Sequence, residues 1–254
     1  MRVVLTRPAQ DAARWSSELV RRGHAVLALP LISIVPLPDA QALRYAWSAL
    51  PRYRAVMFVS ANAVLHFHAQ AGAASWPAGT QAWATGPGTA AALHDARVPD
   101  TLVLQPAAEA AQLDSEALWV RVGPQVRPGW RVLVVRGAVQ DGTAAGRDWL
   151  VRQLQAAGAD VDQVAAYERT CPSWSEVERS RARHAATDGS VWLFSSSQAV
   201  ANLRLLLPDA PWSSARALAT HARIAEAARD AGFGVARLAR GDLDAVARAL
   251  ESFG

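Results

Sequence analysis

Tyr167, in the stretch AAYERT, has the most direct chemical potential of any residue in this 254-residue chain. It falls where the chain passes from one run of strands and helices to the next, so its phenol suits a proton donor facing a cleft. It suits equally a connector tyrosine that packs and bonds to backbone. A second group of candidates stands where apolar runs break into small polar residues: Ser60 and Asn62 in VMFVSANAV, and Ser195, Ser196 and Ser197 in VWLFSSSQAV. Their side chains can hold a ligand or cap the helices that follow, and capping is the default at such positions. Gly86-Pro87-Gly88-Thr89-Ala90-Ala91 is a third candidate, with the letters of a G-x-G-x-x-A turn. Such a turn brings backbone amides to an anion at the positive end of a helix. A dinucleotide site also wants an acid after the next strand, and Gln105 follows Leu104 there. A plain anion site or a structural turn therefore fits better.

Other chemistry is thinner. No G-x-S-x-G elbow is present, which weighs against a hydrolase serine. His66 and His68 are two apart, so a helix turns them to different faces and a metal pair is not expected. Cys171 has no evident partner histidine and reads as structural. The chain contains no lysine, so all 26 of its Lys and Arg side chains are arginine. That excludes a P-loop lysine, a Schiff-base lysine and the lysine of a phospho-receiver domain. Arginine matches carboxylates with a planar fork, although a compositional bias of the genome gives the same excess.

The elements that must position these residues alternate between strand and helix throughout, the pattern of parallel α/β sheets with ligands at the strand carboxyl ends. A repeat runs through them. Ser60 is echoed by Ser196, Thr85 by Thr220, Gly23 by Gly158 and Val3 by Val132, at a nearly constant spacing. Several pairs in matching order favour duplication of a whole α/β unit. His24 to Leu37 reads as a strand that runs out extended past Pro30 and Pro36, and Val161 to Thr170 looks like a second strand leaving one globule. A glycine-spaced loop, GAVQDGTAAGRD, is expected from Gly137 onward.

Composition agrees with two small domains or one large one. Hydrophobic residues make up 51%, no apolar run approaches the length of a membrane span, and the opening MRVVLT leads directly into a strand without the order of a signal peptide. One cysteine suits a reducing cytoplasm. The net charge of +4 is spread among acids, with no basic block of the kind that marks nucleic-acid binding. An anionic small molecule remains open as partner.

The ordered set TRP, P-x-I-x-I-x-P, FVSANAV, TGPGTAAAL, DSEAL, VLVVRG, GADV, AYERT, FSSSQAV, ATHARIAEAA and DLDAVARAL resembles the uroporphyrinogen-III synthase family across nearly the whole chain. The resemblance implies two similar α/β domains with parallel, flavodoxin-like sheets flanked by helices, joined by a two-stranded linker. Residues 1–36 with 171–254 would form one domain and 40–164 the other, with linker strands at 32–39 and 164–170. It implies a lyase of heme biosynthesis that cyclises hydroxymethylbilane, held in the interdomain cleft, to uroporphyrinogen III with inversion of ring D and loss of water.

Under that resemblance Tyr167 is the candidate general acid. Substrate binding falls to Thr6, Arg7, Ser60, Asn62, Gly86, Gly88, Thr89, Arg136, Gly137, Ser196, Ser197, Thr220 and Arg223. His221 and Arg223 stand where the family's second turn commonly has glycine and threonine, so that turn departs from the pattern. No cofactor and no metal are expected. Implied are a cytoplasmic monomer, a tetrapyrrole substrate and transient contact with hydroxymethylbilane synthase, with neither nucleic acid nor membrane as partner. A non-catalytic cytosolic binding protein for an anion is the runner-up, and a dinucleotide oxidoreductase the third reading.

Overall fold

The computed structural model describes residues 1–72, 74–139 and 149–253. Its elements in chain order are β1 (Arg2–Leu5), α1 (Ala9–Arg21), β2 (Ala25–Ala28), β3 (Ser33–Val35), α2 (Gln41–Ser48), β4 (Ala55–Phe58), α3 (Ala61–His68), β5 (Gln81–Ala84), α4 (Pro87–Asp95), β6 (Val103–Leu104), α5 (Ser115–Val122), β7 (Arg131–Val139), α6 (Trp149–Ala156), β8 (Asp160–Thr170), α7 (Glu176–Ala185), β9 (Val191–Phe194), α8 (Ser197–Leu206), β10 (Arg216–Ala219), α9 (Ala222–Asp230), β11 (Val235–Leu238) and α10 (Leu243–Glu251). They gather into two units, Met1–Ser33 with Thr170–Gly254, and Ile34–Arg169.

The first unit holds a five-stranded sheet in the order β2-β1-β9-β10-β11, and the second a six-stranded sheet in the order β3-β8-β7-β4-β5-β6. The five strands of the first sheet are parallel throughout, and so are β8, β7, β4, β5 and β6 of the second. Aligned by the sequence repeat, β1 answers to β7, β2 to β8, β9 to β4, β10 to β5 and β11 to β6. The two sheets thus have one doubly wound order, with β3 added at an edge of the second.

Sequence patterns account for the elements. The central strands AVMF (β4) and VWLF (β9) are buried at every position because helices cover both faces of their sheets, so neither strand alternates. α1 and α6 both end at a glycine with a left-handed backbone, Gly23 at φ +85° and Gly158 at φ +83°, and this is what the matched glycines of the repeat supply. Ser175 and Glu178 form a reciprocal capping box at the start of α7.

Two expectations change. The stretch from His24 to Leu37 is split, because Leu29, Pro30 and Leu31 carry the chain out of β2 before β3 begins in the other sheet. The loop expected from Gly137 starts later: Gly137 to Val139 continue β7 and pair with Tyr167 to Arg169 after a bulge at Arg136/Gly137. The rest of that glycine-spaced stretch, 140–148, lies outside the described residues. Phe58 is fully buried in the second unit's core beside Phe67, with ring centroids 5.6 Å apart. Phe58→Ala should therefore cost about 3–5 kcal/mol, read as a lower urea midpoint at unchanged slope.

Candidate functional site

Parallel strands buried on both faces can present polar groups only at their ends. In the second unit, the carboxyl ends of β4, β5 and β7 deliver Ser60, the Thr85-Gly86 turn and Arg136-Gly137 to one edge, and Tyr167 comes from β8 alongside. Ser60 caps α3, its Oγ accepting from the Ala63 N–H at 3.1 Å. The same Oγ lies 2.9 Å from the Tyr167 Oη. Either hydroxyl can donate in this pair, because the Ser60 oxygen can accept from the amide and from the phenol together. Once the phenol has given up its proton, Ser60 can donate to it, and the chain of bonds from the positive helix start then favours the negative charge.

The position of Tyr167 is set by what flanks its ring. A Cβ at Gly137 would lie 2.7 Å from the Tyr167 Cε2 and Cζ and 3.0 Å from Oη, closer than any real packing allows. Gly137, one of the expected substrate contacts, is placed directly against the tyrosine ring. The His66 ring lies 5.5 Å from the tyrosine ring at 32°. Burial holds His66 below its ordinary pKa, favouring the neutral imidazole. His68 points elsewhere, stacked on Trp76 at 5.6 Å and meeting Trp47 edge-on at 4.9 Å, and it too is lowered by burial. The two histidines thus lie apart, as their spacing requires.

Other candidates are drawn inward. Arg136 is buried and donates to the Gln163 Oε1 at 2.5 Å. Asn62 is buried with its Oδ1 enclosed and unpartnered. Thr89 is buried in α4 and donates its amide to the Gly86 carbonyl. Gly86 is the N-cap of α4 without a side-chain cap, and a Cβ on Gly88 would meet only open space. Here the backbone is the accessible surface, as an anion-binding turn requires.

The first unit repeats the edge with different chemistry. The buried Thr6 hydroxyl donates to the Leu193 carbonyl at 2.7 Å, tying β1 to β9. Ser196 is the N-cap of α8 without capping it through its side chain, and the Ser197 Oγ is enclosed without a partner. Thr220 follows β10 and donates its amide to the Phe194 carbonyl at 3.0 Å. His221 serves as the N-cap of α9, its Nδ1 accepting from the Arg223 amide at 3.2 Å. The histidine therefore stands in for the bare glycine turn of the other unit, and the Arg223 side chain is exposed. Arg7 lies over the Trp15 ring, its guanidinium carbon 3.9 Å from the centroid.

Sequence reasoning missed His66 beside the tyrosine, Gln163 on Arg136 and Trp15 under Arg7. Only Trp15 gave a signal, as a core residue at helical spacing. Among the described residues no group of three or more His, Cys, Asp or Glu could hold a metal, and no helix is long and apolar enough to cross a membrane.

A family model described as uroporphyrinogen-III synthase HemD matches residues 13–243. A mutant uroporphyrinogen III synthase from the extremely thermophilic bacterium Thermus thermophilus is similar at 16% identity over 100% of this chain and 98% of its own, with a TM-score of 0.57. The uroporphyrinogen-III synthetase of Helicobacter pylori is similar at 16% identity over 100% of both chains, with a TM-score of 0.58. At that identity the two structures speak for the fold, and the family model for the family.

Gly137→Ala should destabilise the protein by about 1–3 kcal/mol in wild type and by much less in a Tyr167→Ala background, a non-additivity that chemical denaturation of the four proteins would measure. His68 binds a proton less readily folded than unfolded, since burial lowers its pKa. The unfolded chain thus takes up more protons between the two values, and stability should fall as pH drops through about 6.5 and below. His68→Leu should flatten that slope in a pH series of thermal melts.

Proposed function

We propose how this chain's residues work from one premise: the chain belongs to the uroporphyrinogen-III synthase family, whose enzymes cyclise hydroxymethylbilane to uroporphyrinogen III. It is an enzyme of tetrapyrrole biosynthesis, a lyase that closes the linear bilane with loss of water and inversion of ring D. Tyr167 is its general acid. The phenol protonates the departing hydroxyl, water leaves, and an azafulvene cation remains on the bilane. Ser60 donates to the phenolate so formed, with its own oxygen held by the Ala63 amide. The substituted carbon of ring D attacks, giving a spiro intermediate that reopens and recloses. The proton shed when the new ring regains aromaticity returns to Tyr167, so the net loss is one water.

The observation that carries this assignment is a buried tyrosine 2.9 Å from a serine fixed at a helix start. Each pyrrole bears acetate and propionate groups, which suit the amides that open α4 at Gly86 and Gly88, α8 at Ser196 and Ser197, and α9 near Thr220. Holding a reactive chain so that inversion outruns direct closure is a task of positioning, and small polar residues on rigid strand ends suit it. On the same family premise the enzyme works as a cytoplasmic monomer without cofactor and takes its labile substrate by brief contact with hydroxymethylbilane synthase.

The test generates hydroxymethylbilane in situ, adds this protein, oxidises the product and separates the porphyrin isomers. Isomer III in excess is expected from wild type. Tyr167→Phe should slow its formation by about 10²-fold, the low end for a positioned acid, while the protein stays folded. Isomer I alone from folded wild type would favour a non-catalytic anion-binding protein instead.

A further inference from the structure

Among the described residues Arg7 has no satisfied hydrogen bond. Its Nε is enclosed and unpartnered, and no described carboxylate pairs with it. Asp11 feels the arginine's charge, but no ion pair joins the two. Burial pushes the Arg7 pKa down to about 10, and the nearby Asp11 charge offsets that loss of solvent only in part. The stack on Trp15 does not supply what is missing, because it uses the face of the guanidinium while the N–H donors lie in its plane.

The repeat supplies a comparison inside the molecule. Arg136 occupies, at the bulge of β7, the place in the repeat that Arg7 occupies just after β1, and it is buried against Gln163 at 2.5 Å. Both arginines have an enclosed Nε without a partner, but only Arg136 has a terminal N–H bonded to a protein side chain, at Gln163. Arg7 is half-buried, and an enclosed guanidinium nitrogen without an acceptor is costly, a cost that a ligand carboxylate would relieve.

We infer that Arg7, laid flat on Trp15 at the carboxyl end of β1, is the receptor for one carboxylate of the substrate, taken by its in-plane N–H donors. The inference rests on the tetrapyrrole reading above and assigns Arg7 to binding, with no part in proton transfer. Its planar fork accepts a carboxylate through paired donors, and the indole beneath it fixes the plane. Because no protein acceptor is lost with it, removing the guanidinium leaves the fold intact.

The experiment measures isomer III formation and thermal unfolding for wild type, Arg7→Met and Arg7→Lys. For Arg7→Met the KM for hydroxymethylbilane should rise about tenfold or more, the size of a lost charged hydrogen bond. Its kcat should stay within about twofold, as expected when ground-state and transition-state binding are lost alike. Its melting temperature should be no lower than wild type, which a structural arginine would not allow. Arg7→Lys, with charge but no fork, should fall between the two in KM. An unchanged KM in both variants, or an Arg7→Met that melts early or fails to fold, would overturn the inference. Wild type yielding only isomer I would instead remove the reading on which it rests.

Discussion

A parallel strand covered on both faces by helices meets water only at its two ends, and that constraint places most of the candidate polar groups of this chain. β4 and β9 are apolar and buried along their length, so the first residues able to carry hydroxyls or amides are those that follow them. The same residues must begin a helix. Capping and ligand binding are therefore two uses of one set of atoms, and the site is built from whichever cap groups each turn leaves unspent.

The two units show how far that balance drifts under one topology. At the β5 turn Gly86 leaves α4 without a side-chain cap, whereas at the matching β10 turn His221 caps α9 with its own imidazole. Ser60 caps and also meets a tyrosine, whereas Ser196 caps through no side chain. Arg136 is bonded inward and Arg7 is not. The two sheets share one strand order because that order is fixed by apolar faces that all must pack. The turns differ because each one packs against little.

Much of this was legible in the sequence, and the rest failed for identifiable reasons. Alternation, the repeat, the paired glycines Gly23 and Gly158 and the capping role of Ser60 are local patterns, and local patterns can be read along the chain. The Ser60–Tyr167 bond spans 107 positions, and no local rule links the two. The packing of Gly137 was hidden for the same reason: its missing side chain leaves space that a ring from the neighbouring strand occupies. Thr6 looked like a ligand contact by position, yet its hydroxyl is used by the Leu193 carbonyl of a strand far away in the chain. His221 carried a cap that its residue type did not announce.

The division of the chain has a consequence for how the molecule comes into being. The second unit is one continuous stretch, Ile34–Arg169, whereas the first is assembled from Met1–Ser33 and Thr170–Gly254. During synthesis β1 and β2 emerge before the second unit, but the other edge of β1 waits for β9, with Val3 meeting Val191. At ribosomal rates of about 5–20 residues per second that wait lasts on the order of ten seconds or more. Through it an apolar strand edge stays open while the whole intervening unit is made and folded. The nascent chain thus carries its own aggregation hazard at its front, closed only by the last third of the polypeptide.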